Sequence, residues 1–405
     1  MKRIYDMFSV LGVVLIAAAS AGNMLAVENY DWPNFRGPDH NGISKETEWN
    51  PAAIAGAPKV AWKIDVGQGW SSVSIFGDKL FTMGNVNDQD IVYALNPKDG
   101  KEIWRHSYAC KAGNYPGPRS TPVTDGKVVY TLSRDGIVLC LNVEDGKVVW
   151  QKNIFSEYGS EDITWGLAGS PVIYGDMLLL NAGETGAALD RKTGAKIWGS
   201  SGKGGYSTPL VYKHDGRDCV ALFSCKGLCI VEAKTGKKLA FVEWVTKYDI
   251  NAADPIYSNG KIFISSGYGR GCALVDISGA QPKTVWEHKD LKTQFSSSVL
   301  INGNIYGIDG NNGGGYLKCM DFATGKEKWS KNLGFGNLMS TEDKLIILNE
   351  SGSLFVVTAS SESGAEIASA KNVLGKTCWT APVLCRGIMY CRNSKGNMVA
   401  IDVRK

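Results

Sequence analysis

From Val60 onward the chain is written in short apolar runs separated by polar turns, with almost no helical periodicity. One segment, STPVTDGKVVYTLSRDGIVLCLNVEDGKVVW (residues 120–150), holds three such runs and the start of a fourth. Its separators TDGK, SRDG and VEDG each carry Asp-Gly, a pair that readily folds one strand back on the next. The pattern predicts antiparallel hairpins, four strands to a unit.

The unit repeats. The glycine of each TGK-like turn falls at Gly100, Gly146, Gly194, Gly236, Gly279, Gly325 and Gly364, at spacings of 46, 48, 42, 43, 46 and 39 residues. Short strands at such a period form the blades of a β-propeller. The last stretch, APVLCRGIMYCRNSKGNMVAID, aligns without a gap on TPVTDGKVVYTLSRDGIVLCLN. An eighth unit therefore begins at Cys378 and stops at AIDVRK, where its outermost strand would start. The stretch PKVAWKID, Pro58 to Asp65, is available to supply that strand. The predicted fold is all-β: an eight-bladed β-propeller of four-stranded antiparallel blades, closed by the N-terminal strand so that no open sheet edge remains. The organisation reads as a signal peptide over 1–21, an N-terminal extension over 22–57 and the propeller over 58–405.

A tryptophan follows most marker glycines by four residues: Trp104, Trp150, Trp198 and Trp329. Trp62 and Trp286 follow longer turns, and Ala240 and Ala368 take the position in the fourth and seventh blades. A large flat indole at this offset is expected to wedge between blades, with a bare glycine peptide as its stacking surface. Each such burial is worth on the order of several kcal/mol before entropy.

Composition narrows the class without identifying a reaction. Hydrophobic residues make up 44% and charged residues 21%, and 48 glycines stand against 13 prolines, so the excess glycine serves turns. A net charge of +4 gives no argument for nucleic acid or an anionic membrane. Lys2 and Arg3 precede the apolar run MFSVLGVVLIAAASAG, and Ala19-Ser20-Ala21 supplies small residues for cleavage. This reads as an export signal, with no cysteine beside the cleavage point and no later membrane span. Removing it leaves 42 positive and 39 negative side chains, a net charge of +3. Of the ten cysteines, Cys225 and Cys229 flank a hairpin closely enough to pair in an oxidising compartment, whereas Cys140 and Cys319 read as small core fillers where other repeats place Ala94, Ala188 and Ala400. No cysteine spacing reads as zinc or covalent haem.

The segments ALNPKDGKEIW, CLNVEDGKVVW, ALDRKTGAKIW and CMDFATGKEKW resemble the tryptophan-docking motif of the pyrroloquinoline-quinone (PQQ) repeat propellers, and DWPNFRGPDHNGIS is similar to their lead-in. The resemblance covers nearly all the chain after Val60. It implies one of two roles. Large members are quinoprotein alcohol dehydrogenases that hold PQQ and calcium beside a vicinal disulfide, with an aspartate as base. Smaller exported members are non-enzymatic scaffolds, among them the propeller subunit of the outer-membrane protein assembly machinery. This chain has no Cys-Cys pair and no long insertions.

Candidate site residues come from the junctions between blades. An aromatic precedes the innermost strand of most blades: Trp70, Tyr115, Trp165, Tyr206, Phe295, Phe335 and Trp379, with Tyr248 further back and Arg119 in the same zone. In a propeller these junctions converge on one face, so Trp70, Arg119, Trp165, Tyr206, Phe295 and Trp379 are the expected ligand- or partner-binding set. The competing expectation is that several are further inter-blade wedges. Asp249, Asn251 and Asp254 are the weak metal candidates, while Glu161 and Asp162 and the DGNNGGG and NVNDQD segments read as loops. The leading reading is a non-catalytic binding or scaffold propeller of the periplasm or exterior. It is expected to be monomeric, to bind an envelope protein or a glycan, and to carry no cofactor. A PQQ- and calcium-dependent alcohol dehydrogenase of the polyvinyl-alcohol dehydrogenase kind, or a carbohydrate-binding propeller, are the alternatives.

Overall fold

Each Asp-Gly-punctuated unit folds into a sheet whose first strand lines the central axis and whose fourth faces outward. The computed structural model describes residues 30–311 and 313–405; the stretch 1–21 read as an export signal lies outside the described residues. Eight four-stranded antiparallel sheets form the ring, the first being Ser74–Phe76, Lys79–Val86, Gln89–Leu95 and Glu102–Ala109. In the eighth blade Val60–Asp65 pairs antiparallel with Asn397–Asp402, Trp62 facing Ala400, so the ring closes with the N-terminal strand. Helix is confined to Ile154–Tyr158 and two short 3-10 turns among the described residues.

The docking tryptophans lock each blade onto the next. Trp62, Trp104, Trp150 and Trp198 donate their Nε1–H to the carbonyls of Pro97, Val143, Arg191 and Ala233 at 2.8–3.0 Å. Trp286 and Trp329 do the same to Phe322 and Ser360. The indole lies on the marker glycine of the following blade: a Cβ added at Gly146 would stand 2.5 Å from Trp104, and one at Gly236 2.5 Å from Trp198. The residue opposite the indole in its own sheet is small in most blades, Ala94, Cys140, Ala188, Cys319 and Ala400. Cys140 and Cys319 therefore make room for the ring while filling the core.

Where the tryptophan is missing, other groups fill the seam. Tyr212 and Tyr257 stack at 4.2 Å between the fourth and fifth blades. Beside Ala368 the 3-10 turn Pro51–Ile54 packs on the outermost strand of the seventh blade, with Ile54 fully buried. Arg392 (2% exposed) ties the eighth blade to the first, donating to the carbonyls of Ser71, Met83, Gly67 and Gly69 and to Thr82 Oγ1.

Two local expectations are corrected, and one further junction aromatic finds its place. Cys225 and Cys229 are both buried free thiols; Cys225 lies in the turn between Arg217–Ser224 and Gly227–Glu232 while Cys229 lies within the second strand, and they pack into different core clusters. NVNDQD is a tight turn rather than a wide loop, with Asn87 and Asp88 both left-handed (φ 52° and 58°). Phe335, a junction aromatic outside the expected binding set, is 1% exposed and belongs to the hydrophobic core.

Candidate functional site: an aromatic cup on the propeller axis

The narrow end of each blade brings the start of one inner strand beside the start of the next. Backbone N–H groups there have no sheet partner, and a belt of side chains supplies one. Ser72 N–H donates to Thr121 Oγ1, Thr121 to Ser170 Oγ, Ser170 to Thr208 Oγ1, Thr208 to Asp254 Oδ1, and Asp254 to Ser297 Oγ, at 2.8–3.2 Å. The sequence shows this position as the residue before proline in STPV, GSPV, STPL and ADPI. Asp254 is the carboxylate in a belt otherwise built from hydroxyls.

Its counter-ion comes from the N-terminal extension. Residues 31–49 cross the face that carries the turns between first and second strands: Trp32 bridges to Ile75, Ile43 to Ser340 and Trp49 to Arg404. Asp31 pairs with Arg386, and the Glu46 carboxylate accepts from Gly387 N–H at 2.8 Å. From this strap Phe35 and Arg36 rise into the channel. Arg36 donates to the carbonyls of Asn41 (2.8 Å) and Ser298 (2.6 Å) and faces Asp254 at 3.8 Å. Burial pushes the Asp254 carboxyl up to about 6, against the opposing pull of Arg36 and of the Thr208 amide. His40, on the same strap, is held down at about 4, first by burial and then by Arg36. The strap thus turns an open channel into a cup.

The cup has a volume of about 310 Å³. The six residues expected from the junctions, Trp70, Arg119, Trp165, Tyr206, Phe295 and Trp379, all line it, as does Tyr115. Trp70 and Trp379 stack at 4.6 Å, Trp379 meets Phe295 at 4.9 Å, and Tyr115 sits edge-on to Trp165 at 5.4 Å. The aromatics therefore form a continuous wall rather than an evenly spaced ring. Phe335 stands behind Phe295, edge-on at 5.1 Å. Tyr248 lies on the rim, half exposed, against Tyr268. Tyr115, Tyr248 and Tyr268 all have left-handed backbones (φ 54°, 63° and 53°), a strained state for bulky residues that concentrates at functional surfaces.

The Arg119 guanidinium donates to the carbonyls of Tyr115, Asn114 and Gly117 at 3.0–3.4 Å. Burial lowers it to about 10, with the neighbouring Arg134 charge acting in the same direction. Gln294 lines the cavity with Nε2 on Tyr268 Oη, and its buried Oε1 has no partner; the buried Nε1 of Trp165 has none either. Phe35, Arg36, Tyr268, Gln294 and Asn337 escaped the sequence reading, because strap, hairpin loop and inner strand meet only when the ring closes.

The weak metal candidates separate. Asn251 is spent inside the fold, donating to the carbonyls of Ser224 and Trp244 and accepting from Ser266 Oγ. Asp254 faces the channel while Asp249 stays on the strained rim turn. Among the described residues no three His, Cys, Asp or Glu side chains gather as a metal site. PQQ is a flat tricarboxylate. The cup offers it Arg119 as the lining cation, places the Asp254 carboxylate in the same space, and closes Trp70 onto Trp379 where a flat ring would need a slot. The residues present do not fit that cofactor.

The ring of blades, the tryptophan locks and the strap define a propeller of PQQ-like repeats. Residues 87–331, more than half of the chain, match the family described as outer membrane protein assembly factor BamB, and the chain belongs to that family. A search of curated proteins finds no match. Among solved structures, BamB from Moraxella catarrhalis is similar with a TM-score of 0.64 at 15% identity, over 85% of this chain and 97% of that one. The quinohemoprotein alcohol dehydrogenase of Comamonas testosteroni is similar at 0.71 and 14% identity, over 93% of this chain and 81% of that one. Sqt1 of Saccharomyces cerevisiae reaches 0.61 at 12% identity, over 86% and 100%. At these identities the structural likeness is one of fold.

Proposed function

We propose that this chain is an exported, non-catalytic binding propeller whose ligand or partner engages the aromatic face. The observation that carries the reading is the cup itself: strained tyrosines at its rim, an indole wall, and a floor closed by the chain's own N-terminal strap. The polar groups near the floor are engaged in holding the fold. Asp254 accepts from Thr208 and faces Arg36, and Thr121, Ser170, Thr208 and Ser297 accept from neighbouring backbones. That leaves shape, stacking and Arg119 to recognise a ligand. Membership of the BamB family supports a partner in the cell envelope, and among the described residues no helix is long and apolar enough to cross a membrane.

The test is thermal stabilisation of the mature protein by libraries of envelope peptides and glycans, beside PQQ with and without calcium. Hits are expected from the peptides or glycans, abolished by Trp379→Ala, which removes the centre of the wall. Saturable, calcium-dependent PQQ binding at one site per chain would overturn the reading.

A further inference from the structure

Three features of the cup ask for one kind of occupant. The first is charge. Arg119 lines the cavity on bonds of 3.0, 3.3 and 3.4 Å to backbone carbonyls, with no described carboxylate in ion-pair contact, whereas the other charge there, Asp254, already has Arg36. A partly buried guanidinium of this kind favours an anion. The second is a pair of unmet polar atoms carried by lining residues, an acceptor at Gln294 Oε1 and a donor at Trp165 Nε1, both covered until a small side-chain shift brings them to the cavity. Buried polar atoms call for partners, and hydroxyl groups donate and accept at once. The third is the wall. Trp70 and Trp379 close on each other, so the wall presents platforms rather than a slot. A platform suits a ring with polarised C–H bonds on its face, which an indole attracts from one side.

Size points the same way. The volume of about 310 Å³ stands at the small end of ligand pockets, and the strap closes the floor, so an extended chain cannot thread through. We propose that the cup takes one residue of an anionic saccharide, its carboxylate or sulfate on Arg119 and its ring against the Trp379–Trp70 wall. This rests on the binding reading above and gives it a ligand class.

The test is calorimetric titration of the mature protein with digalacturonate, glucose 6-sulfate and neutral cellobiose. Digalacturonate or glucose 6-sulfate is expected to bind at one site, and the better of the two identifies the anionic group. Cellobiose is expected to bind at least tenfold more weakly. Arg119→Gln should remove that preference, and Arg119→Lys should restore part of it. Trp165→Phe keeps a six-membered aromatic ring and removes the five-membered ring with its Nε1 donor, so a several-fold loss of affinity is expected in a variant that still unfolds in one cooperative transition. Cellobiose binding as tightly as the anions would overturn the charge assignment and leave a binding cup. Failure of all three sugars while an acidic envelope peptide binds would overturn the saccharide class and again leave the cup. PQQ binding with calcium, and none by sugars or peptides, would overturn both.

Discussion

Asp254 and His40 lean on the same guanidinium, and their titrations oppose each other. Asp254 holds its proton up to about pH 6 in the fold, whereas a free aspartate has lost it by about pH 4. Between those values the folded state binds more protons, so this group makes stability fall as pH rises. His40 stays neutral in the fold down to about pH 4 but takes a proton below about 6.5 when unfolded. The unfolded state then binds more protons, and stability rises with pH over nearly the same window. The wild type should therefore show a shallow profile between pH 4 and 6 from this cluster. His40→Gln should tilt it downward with rising pH, and Asp254→Asn should tilt it upward, each by at most about 1.4 kcal/mol per pH unit. Denaturant unfolding across that range measures the slopes; unchanged profiles in both variants would remove the cluster from the pH response. At the same scale, Gly146→Ala places a methyl into the Trp104 ring at a left-handed residue (φ 69°). A loss of a few kcal/mol is expected, approaching the roughly 3–5 kcal/mol of Trp104→Ala.

The elements divide into those that announce themselves and one that does not. Blade strands are legible because short, continuously buried apolar runs bounded by Asp-Gly turns act within a few residues, as in Val128–Leu132 and Ile137–Asn142. The strap has no such period. Its Trp32, Ile43 and Trp49 find partners in the first, seventh and eighth blades, up to several hundred residues away in sequence. Only a resemblance of DWPNFRGPDHNGIS to a lead-in marks it beforehand. Replacing Phe35 and Arg36 together by Ala and Gln should remove the counter-ion of Asp254, leave it only the Thr208 amide, and open the floor. The expected result is a folded propeller with a lower melting temperature and faster exchange of the Thr208 and Asp254 amides, read by hydrogen exchange. Protection equal to wild type would show that the belt holds without the strap.

For the molecule as a whole, the critical seam is the one that joins the two ends of the chain. Five tryptophan locks serve the other seams, while the eighth blade meets the first through Trp62 on the borrowed strand and through Arg392. Arg392→Met keeps an unbranched apolar stem but is shorter, and it loses every one of the arginine's donors, leaving buried carbonyls without partners. The expected cost is several kcal/mol, on the order of 1–3 for each group left unmet. A drop in the unfolding midpoint without a change in slope would show loss of stability alone; a shallower slope would show the ring opening before the blades unfold.

The repeat period, the blade count, the closing strand and the docking tryptophans were determined by sequence alone, because each rests on short-range turn chemistry or on a residue at fixed distance from a turn. The six aromatic and guanidinium candidates were also named from position within the repeat, and tertiary structure decided that they share one cavity with Tyr115 while Phe335 falls behind it. Tertiary structure alone decided that the channel is a cup. It did so because Arg36 and Asp254 lie 218 residues apart, and their charges meet only after the ring has closed around the strap.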